Sequence, residues 1–99
     1  MNKEFPNLHD FFGAYFHQDW TAEHDTAEQV IESFRRESEQ NDRLMVREEL
    51  KKLLSQNIDE MTLRKYLLKE LSCYFTYWNE WDSGKHWLQH IDEQLIEEL

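Results

Sequence analysis

The chain has 99 residues and a mass of 12.3 kDa, a size that one hydrophobic core organises, and residues 1–99 are read as a single domain. Two glycines and one proline are too few for the turns of a β-sandwich, a barrel or a glycine-rich nucleotide fold, so composition predicts an all-α protein. Acidic side chains number 21 against 11 basic ones, a formal net charge of −10, which disfavours direct nucleic-acid binding and docking to an anionic membrane and favours a cationic partner.

Pro6 stands where a helix tolerates proline, and Leu8, Phe11, Phe12, Tyr15 and Phe16 then recur at helical spacing, predicting a first helix over 7–18 with an aromatic buried stripe. Its other side carries Asp10, Gly13, Ala14 and His17. The two small residues there admit a packed helix or the close approach of a partner. Residues 20–25 form a polar connector, after which Thr26 and Gln29 have the capping-box spacing and Ala27, Val30, Ile31 and Phe34 form a second stripe. A third helix is predicted over 42–55, burying Val46, Leu50, Leu53 and Leu54 and pairing Glu48 with Lys52. Asp59 can cap a fourth, whose Leu63, Tyr66, Leu67 and Leu71 share one side. Residues 72–83 fit neither period and are expected to be an irregular aromatic connection or a helix extension. Ser83 and Gly84 lead into a final helix with Trp87, Leu88, Ile91 and Leu95 apolar and His86, His90, Glu93 and Glu97 polar. The expectation is one bundle of about five helices.

Residues 1–16 lack the uncharged apolar run and the cleavage pattern of a secretory signal. The stretch 71–79, free of full charges, is too short to span a bilayer. Cys73 is the only cysteine, so neither an internal disulfide nor a Cys-based zinc site is expected, and a reducing, cytoplasmic location fits.

Charge is unevenly placed. Residues 1–34 carry −6, residues 35–70 carry +1 and residues 71–99 carry −5. Aromatic residues also gather toward the two ends, with only Phe34 and Tyr66 falling between the groups at 5–20 and 74–87. The rings of the two ends can pack together as the core, leaving their acids as a solvated outside. Folding does not require the crowding of Glu97 and Glu98 at the negative end of the last helix. Aromatic anchors rimmed by acids suit an interface with a basic protein.

Catalytic chemistry is poorly supported. His86 and His90 are one helical turn apart, but Trp87 stands where the metalloprotease pattern needs glutamate. Two histidines on a polar helix face need no metal to explain them, so neither a metal nor a cofactor is expected. Asp10, His17 and Asp19 come without a nucleophile motif, Cys73 has no cation beside it in sequence, and Gly13 and Gly84 stand alone rather than in a phosphate loop. No enzymatic activity is expected.

The run from Phe5 to Trp20, Phe-Pro-Asn-Leu-His-Asp-Phe-Phe-Gly-Ala-Tyr-Phe-His-Gln-Asp-Trp, closely resembles the opening of CdiI-type immunity proteins of bacterial contact-dependent growth inhibition systems. Weaker similarity continues through the helical middle, the Cys73-Tyr74 pair and Trp87-Leu88. Ser72 stands where glycine is expected before that cysteine, and 77–83 departs from the expected Pro/Gly-rich connection. The resemblance implies a small cytosolic helical protein that binds and blocks the C-terminal toxin domain of a cognate effector, often a nuclease and hence basic. It carries over no catalytic residue. Expected contact residues for a one-to-one complex are Asp10, Asp19, Trp20, Glu80, Trp81 and Asp82. Two other classes fit less well: an acidic nucleic-acid mimic or adaptor that sequesters a host DNA- or RNA-binding protein, and a small metal-dependent hydrolase using His86 and His90.

Overall fold

Each apolar stripe becomes a helix in the computed structural model, which describes residues 4–96: α1 (Pro6–Tyr15), α2 (Ala27–Glu37), α3 (Gln40–Leu54), α4 (Glu60–Lys69) and α5 (Gly84–Gln94). Single 3-10 turns lie at Trp20–Ala22 and Tyr77–Asn79, and no strand occurs among the described residues. The all-α bundle of five helices expected from composition is the fold observed. The terminal Glu97 and Glu98 lie outside the described residues.

Local chemistry explains the boundaries. α1 stops at Tyr15 rather than at 18 because the Phe16 carbonyl accepts the Tyr74 amide at 2.9 Å, a tertiary bond that takes the place of helix continuation. The capping box of α2 forms: Thr26 Oγ1 accepts from the Gln29 amide at 3.2 Å and Gln29 Oε1 accepts from the Thr26 amide at 3.3 Å. α3 starts two residues before its expected beginning, after a break at Ser38 and Glu39, both extended. Arg43 closes that break, its Nη1 donating to the Arg35 carbonyl at 3.1 Å and to the Ser38 carbonyl at 2.5 Å. Asp59 and Ser83 cap α4 and α5, accepting from Thr62 at 2.8 Å and His86 at 3.2 Å. Leu71 is fully buried although α4 ends before it. Lys52, expected to pair with Glu48, lies over the Phe5 ring at 5.7 Å. Leu54 and Tyr66 are half-buried rather than core residues.

Rings from the two ends of the chain meet in the core. Trp87, with 0% exposure, has ring centroids of Phe12, Phe16, Phe75 and Tyr77 at 5.9, 5.5, 4.9 and 5.8 Å. Burial is thus the main role of the terminal aromatics. The stretch 72–83 is an irregular connection with one 3-10 turn, not an extension of α4. It lays Cys73, Phe75 and Tyr77 into the core and leaves Tyr74, Thr76 and Trp78 outside, the alternation of an extended chain over an apolar surface.

Two carboxylates cap helices from other elements. Glu49 on α3 accepts from the Asn7 and Leu8 amides at 3.0 and 2.9 Å and from the Asn7 side chain at 2.6 Å. It thereby supplies the first turn of α1, where Phe5 offers no side-chain cap. Glu60 accepts from the Gly84 amide at 2.8 Å and the Tyr77 hydroxyl at 2.5 Å. A Cβ on Gly84 would come within 2.9 Å of Leu63 Cδ2 and 3.0 Å of the Tyr77 hydroxyl, so this glycine is required by close packing. Arg47 and Asp92, both mostly buried, join α3 to α5 at 2.9 Å.

Ser72 has φ of 59°, a left-handed conformation that suits glycine. It lets the Cys73 amide reach back to the Leu67 carbonyl at 2.8 Å and wrap the end of α4. This is the physical reason that glycine is expected at the position. Ser72→Gly should raise stability by about 0.5–1 kcal/mol, read as a higher urea midpoint at unchanged slope. A lower midpoint would mean that the serine side chain contributes more than its backbone strain costs.

Candidate functional site

The outer side of α1 lines an open groove. The two small residues of that side have separate roles. Gly13 faces Ser72, whose Cβ would lie 3.9 Å from a Cβ placed there, whereas Ala14 is exposed and borders the groove. At the middle of the groove the Tyr15 hydroxyl donates to Glu37 Oε1 at 2.9 Å. Burial, followed by that hydrogen bond and the charge of Glu37, pushes the Tyr15 phenol up to about 12, so it stays a neutral donor at any physiological pH.

On one side of this bridge lies a hollow of 360 Å³, where Asp10, Glu37 and Asp42 surround a floor of Phe11, Tyr15 and Phe34. On the other lies a hollow of 430 Å³ bordered by Ala14, Glu23 and His24, again with Tyr15 and Glu37. Among the described residues no lysine or arginine borders either one. Four carboxylates over an aromatic floor suit an ammonium or guanidinium: the carboxylates accept its hydrogen bonds and the ring faces attract its charge. Glu23 also holds His17 Nε2 at 3.0 Å, which ties the loop after α1 to the edge of the second hollow.

Of the six expected contact residues, only Asp10 lines the groove. Asp19 is exposed at the start of the first 3-10 turn, and Glu80 and Asp82 are exposed beside the second. Trp20 and Trp81 are half-buried and already have partners within the chain. Trp20 makes edge contacts with Phe16 at 5.8 Å and Phe75 at 5.7 Å. The Trp81 ring lies 4.8 Å from that of His90, whose Nε2 is 2.7 Å from Glu28 Oε1. These contacts join the connector before α5 to the start of α2. Glu23, Glu37 and Asp42 escape the sequence reading. The last two sit in the segment whose charges nearly cancel by count, and proximity to α1 shows only in three dimensions. Three of the cancelling bases are engaged elsewhere: Arg43 caps α2, Arg47 pairs with Asp92 and Arg35 with Glu32.

The residues weighed for chemistry have structural partners. His90 is held by Glu28, His86 lies 3.8 Å from Asp82, and no three metal-ligating side chains come together among the described residues. Cys73 is buried, and burial pushes its thiol up to about 12, the state of a packed thiol rather than a nucleophile. Among the described residues no helix is long and apolar enough to cross a membrane.

The fold and its surface define a small acidic helical bundle whose most distinctive feature is an open, carboxylate-lined groove. The family model of the CdiI immunity protein matches residues 4–95, and the chain belongs to that family, as the resemblance of residues 5–20 implied. The fold is similar to a chain in the crystal structure of a CdiA-CT/CdiI complex from Y. kristensenii 33638. The TM-score is 0.90 at 29% identity, over 95% of this chain and 100% of that one. No curated protein matches this chain.

Proposed function

We propose that this chain is a cytoplasmic, non-enzymatic immunity protein. It binds the C-terminal toxin domain of a cognate CdiA-type effector one to one and protects the cell that makes both. The observation that carries the mechanism is the groove along α1, bordered by Asp10, Glu23, Glu37 and Asp42 and open to solvent. A toxin that acts on nucleic acid presents a basic cleft to its substrate, and an acidic surface of this kind competes for that cleft by charge and by occlusion. Membership in the CdiI family and likeness to a structure solved as a CdiA-CT/CdiI complex support the reading. Asp10, Asp19, Glu80 and Asp82, all exposed, remain proposed contacts. Trp20 and Trp81 contribute through their exposed edges.

The direct test is co-expression with the toxin domain encoded beside this chain. A stable complex and rescued growth are expected, and failure of both would sink the proposal. Reversing Asp10 and Asp42 to lysine together should slow association about 10-fold at low salt and flatten its salt dependence, while dissociation changes little. Stopped-flow mixing at several ionic strengths measures this, and association rates equal to those of the parent chain would remove the groove from the interface.

A further inference from the structure

The acidic groove steers an encounter but offers little exposed apolar surface to anchor one. That surface lies elsewhere, between α4 and the 73–78 connection. There a cleft of 350 Å³ is lined by Leu67, Leu68, Phe75, Tyr77 and Trp78, with Arg64 its only charged residue among those described. Its lip is exposed to a degree uncommon for apolar side chains: Leu68 42%, Tyr74 45% and Trp78 40%. Met61, at 55%, extends the same stripe of α4, since positions 61, 64 and 68 share a helical face. The other large exposed apolar residues of the described chain, Leu44, Met45 and Ile96, lie outside this cleft. A concentration of exposed apolar area in one concave place marks an interaction site rather than ordinary surface. Met, Tyr, Trp and Arg are the residues that protein interfaces favour at their centres.

Charge at the cleft runs against that of the molecule. Residues 61–69 hold Arg64, Lys65 and Lys69 and no acid in a chain of net −10, and Glu60, just before them, is engaged by Tyr77 and Gly84. The Arg64 guanidinium lies 4.1 Å from the Trp78 ring centroid, and its buried Nε has no hydrogen-bond partner. As the charge lining the cleft, Arg64 favours an occupant that brings a carboxylate beside an apolar group. A second copy meeting the cleft through the same face would set Arg64 against Arg64, which disfavours self-association here. The connection that forms one wall of the cleft runs on into two exposed acids, Glu80 and Asp82, which are among the proposed toxin contacts.

We propose that this cleft is the anchor for the toxin domain, receiving from it an apolar side chain flanked by a carboxylate that pairs with Arg64. The inference rests on the proposed function and deepens it: the acids set the rate of encounter, and the cleft sets the lifetime of the complex. Interfaces divide in this way because long-range charge acts on association, whereas desolvated apolar contacts act on dissociation.

The test uses the purified full chain and its cognate toxin domain, with dissociation followed by biolayer interferometry. Leu68→Glu and Arg64→Glu should each speed dissociation by about 100-fold with association within about threefold of the parent chain. Leu44→Glu, on α3, controls for an added surface acid. Independently of any substitution, ¹³C-methyl Met61 in the parent chain should shift when the toxin is added. Parent-chain binding with unchanged lifetimes in both variants, or a Met61 signal that does not move, overturns the cleft while leaving the immunity reading intact. Absence of any complex with the parent chain overturns the immunity reading and the cleft with it.

Discussion

Replacing Trp87 by alanine should cost about 3–5 kcal/mol, the range for deleting a large buried aromatic. A domain of this length has only about 5–15 kcal/mol of stability in total. The variant is therefore expected to be marginally folded at 37 °C. Trp87 is where the two ends of the chain are joined, since Phe12 and Phe16 come from the first helix and its edge and Phe75 and Tyr77 from the late connection. Removing the indole leaves four rings without their common neighbour, and a rigid aromatic cluster refills such a cavity poorly. Trp87→Phe should be far milder. It keeps a ring in place and removes an indole N–H that is buried without a hydrogen-bond partner, a group that costs stability in its own right. Urea unfolding followed by far-UV circular dichroism separates the two. Equal losses for alanine and phenylalanine would show that ring packing is not what holds the ends together.

The second large effect is expected at Glu49. Its carboxylate binds two backbone amides and a side-chain amide of the first helix from the neighbouring α3. Glu49→Ala should lose about 2–3 kcal/mol, because it strands the first-turn donors of α1 at a partly buried site. Glu49→Gln separates hydrogen bonding from shape. Its amide oxygen can still accept from the backbone, but its NH₂ would oppose the Asn7 side-chain amide as donor against donor. An intermediate loss of about 1–2 kcal/mol is expected. Hydrogen exchange gives a local readout, with the Asn7 and Leu8 amides losing protection in the alanine variant more than amides of α4. Uniform loss of protection across all helices would contradict a capping role. Glu49 itself lines neither the groove nor the cleft, so defects in rescue should follow the loss of stability.

How far the sequence could be read differs from one element to the next. The capping box at Thr26, the cap at Asp59 and the stripe of α2 are local, and local spacing is what a sequence displays. The end of α1 was less legible because it is set by a bond from Tyr74 to Phe16, two residues far apart along the chain. Asp10 was found because it faces outward from an amphipathic helix. Glu37 and Asp42 were hidden in a segment of nearly balanced charge, and the apolar cleft was hidden in a connection with no helical period, where alternate residues face in and out.

Composition and periodicity by themselves determined that this is an all-α, acidic chain, because helix formation and net charge are properties of neighbours and of sums, and residues 5–20 carried its resemblance to CdiI-type immunity proteins. Only the tertiary structure decided which charges cancel and which rings remain available. Arg43 and Arg47 are drawn into structural contacts, and Trp20 and Trp81 are partly absorbed by the core. Tyr74 and Trp78 are left at the surface. Those outcomes depend on distances between residues remote in sequence, and such distances are fixed only when the core closes around Trp87.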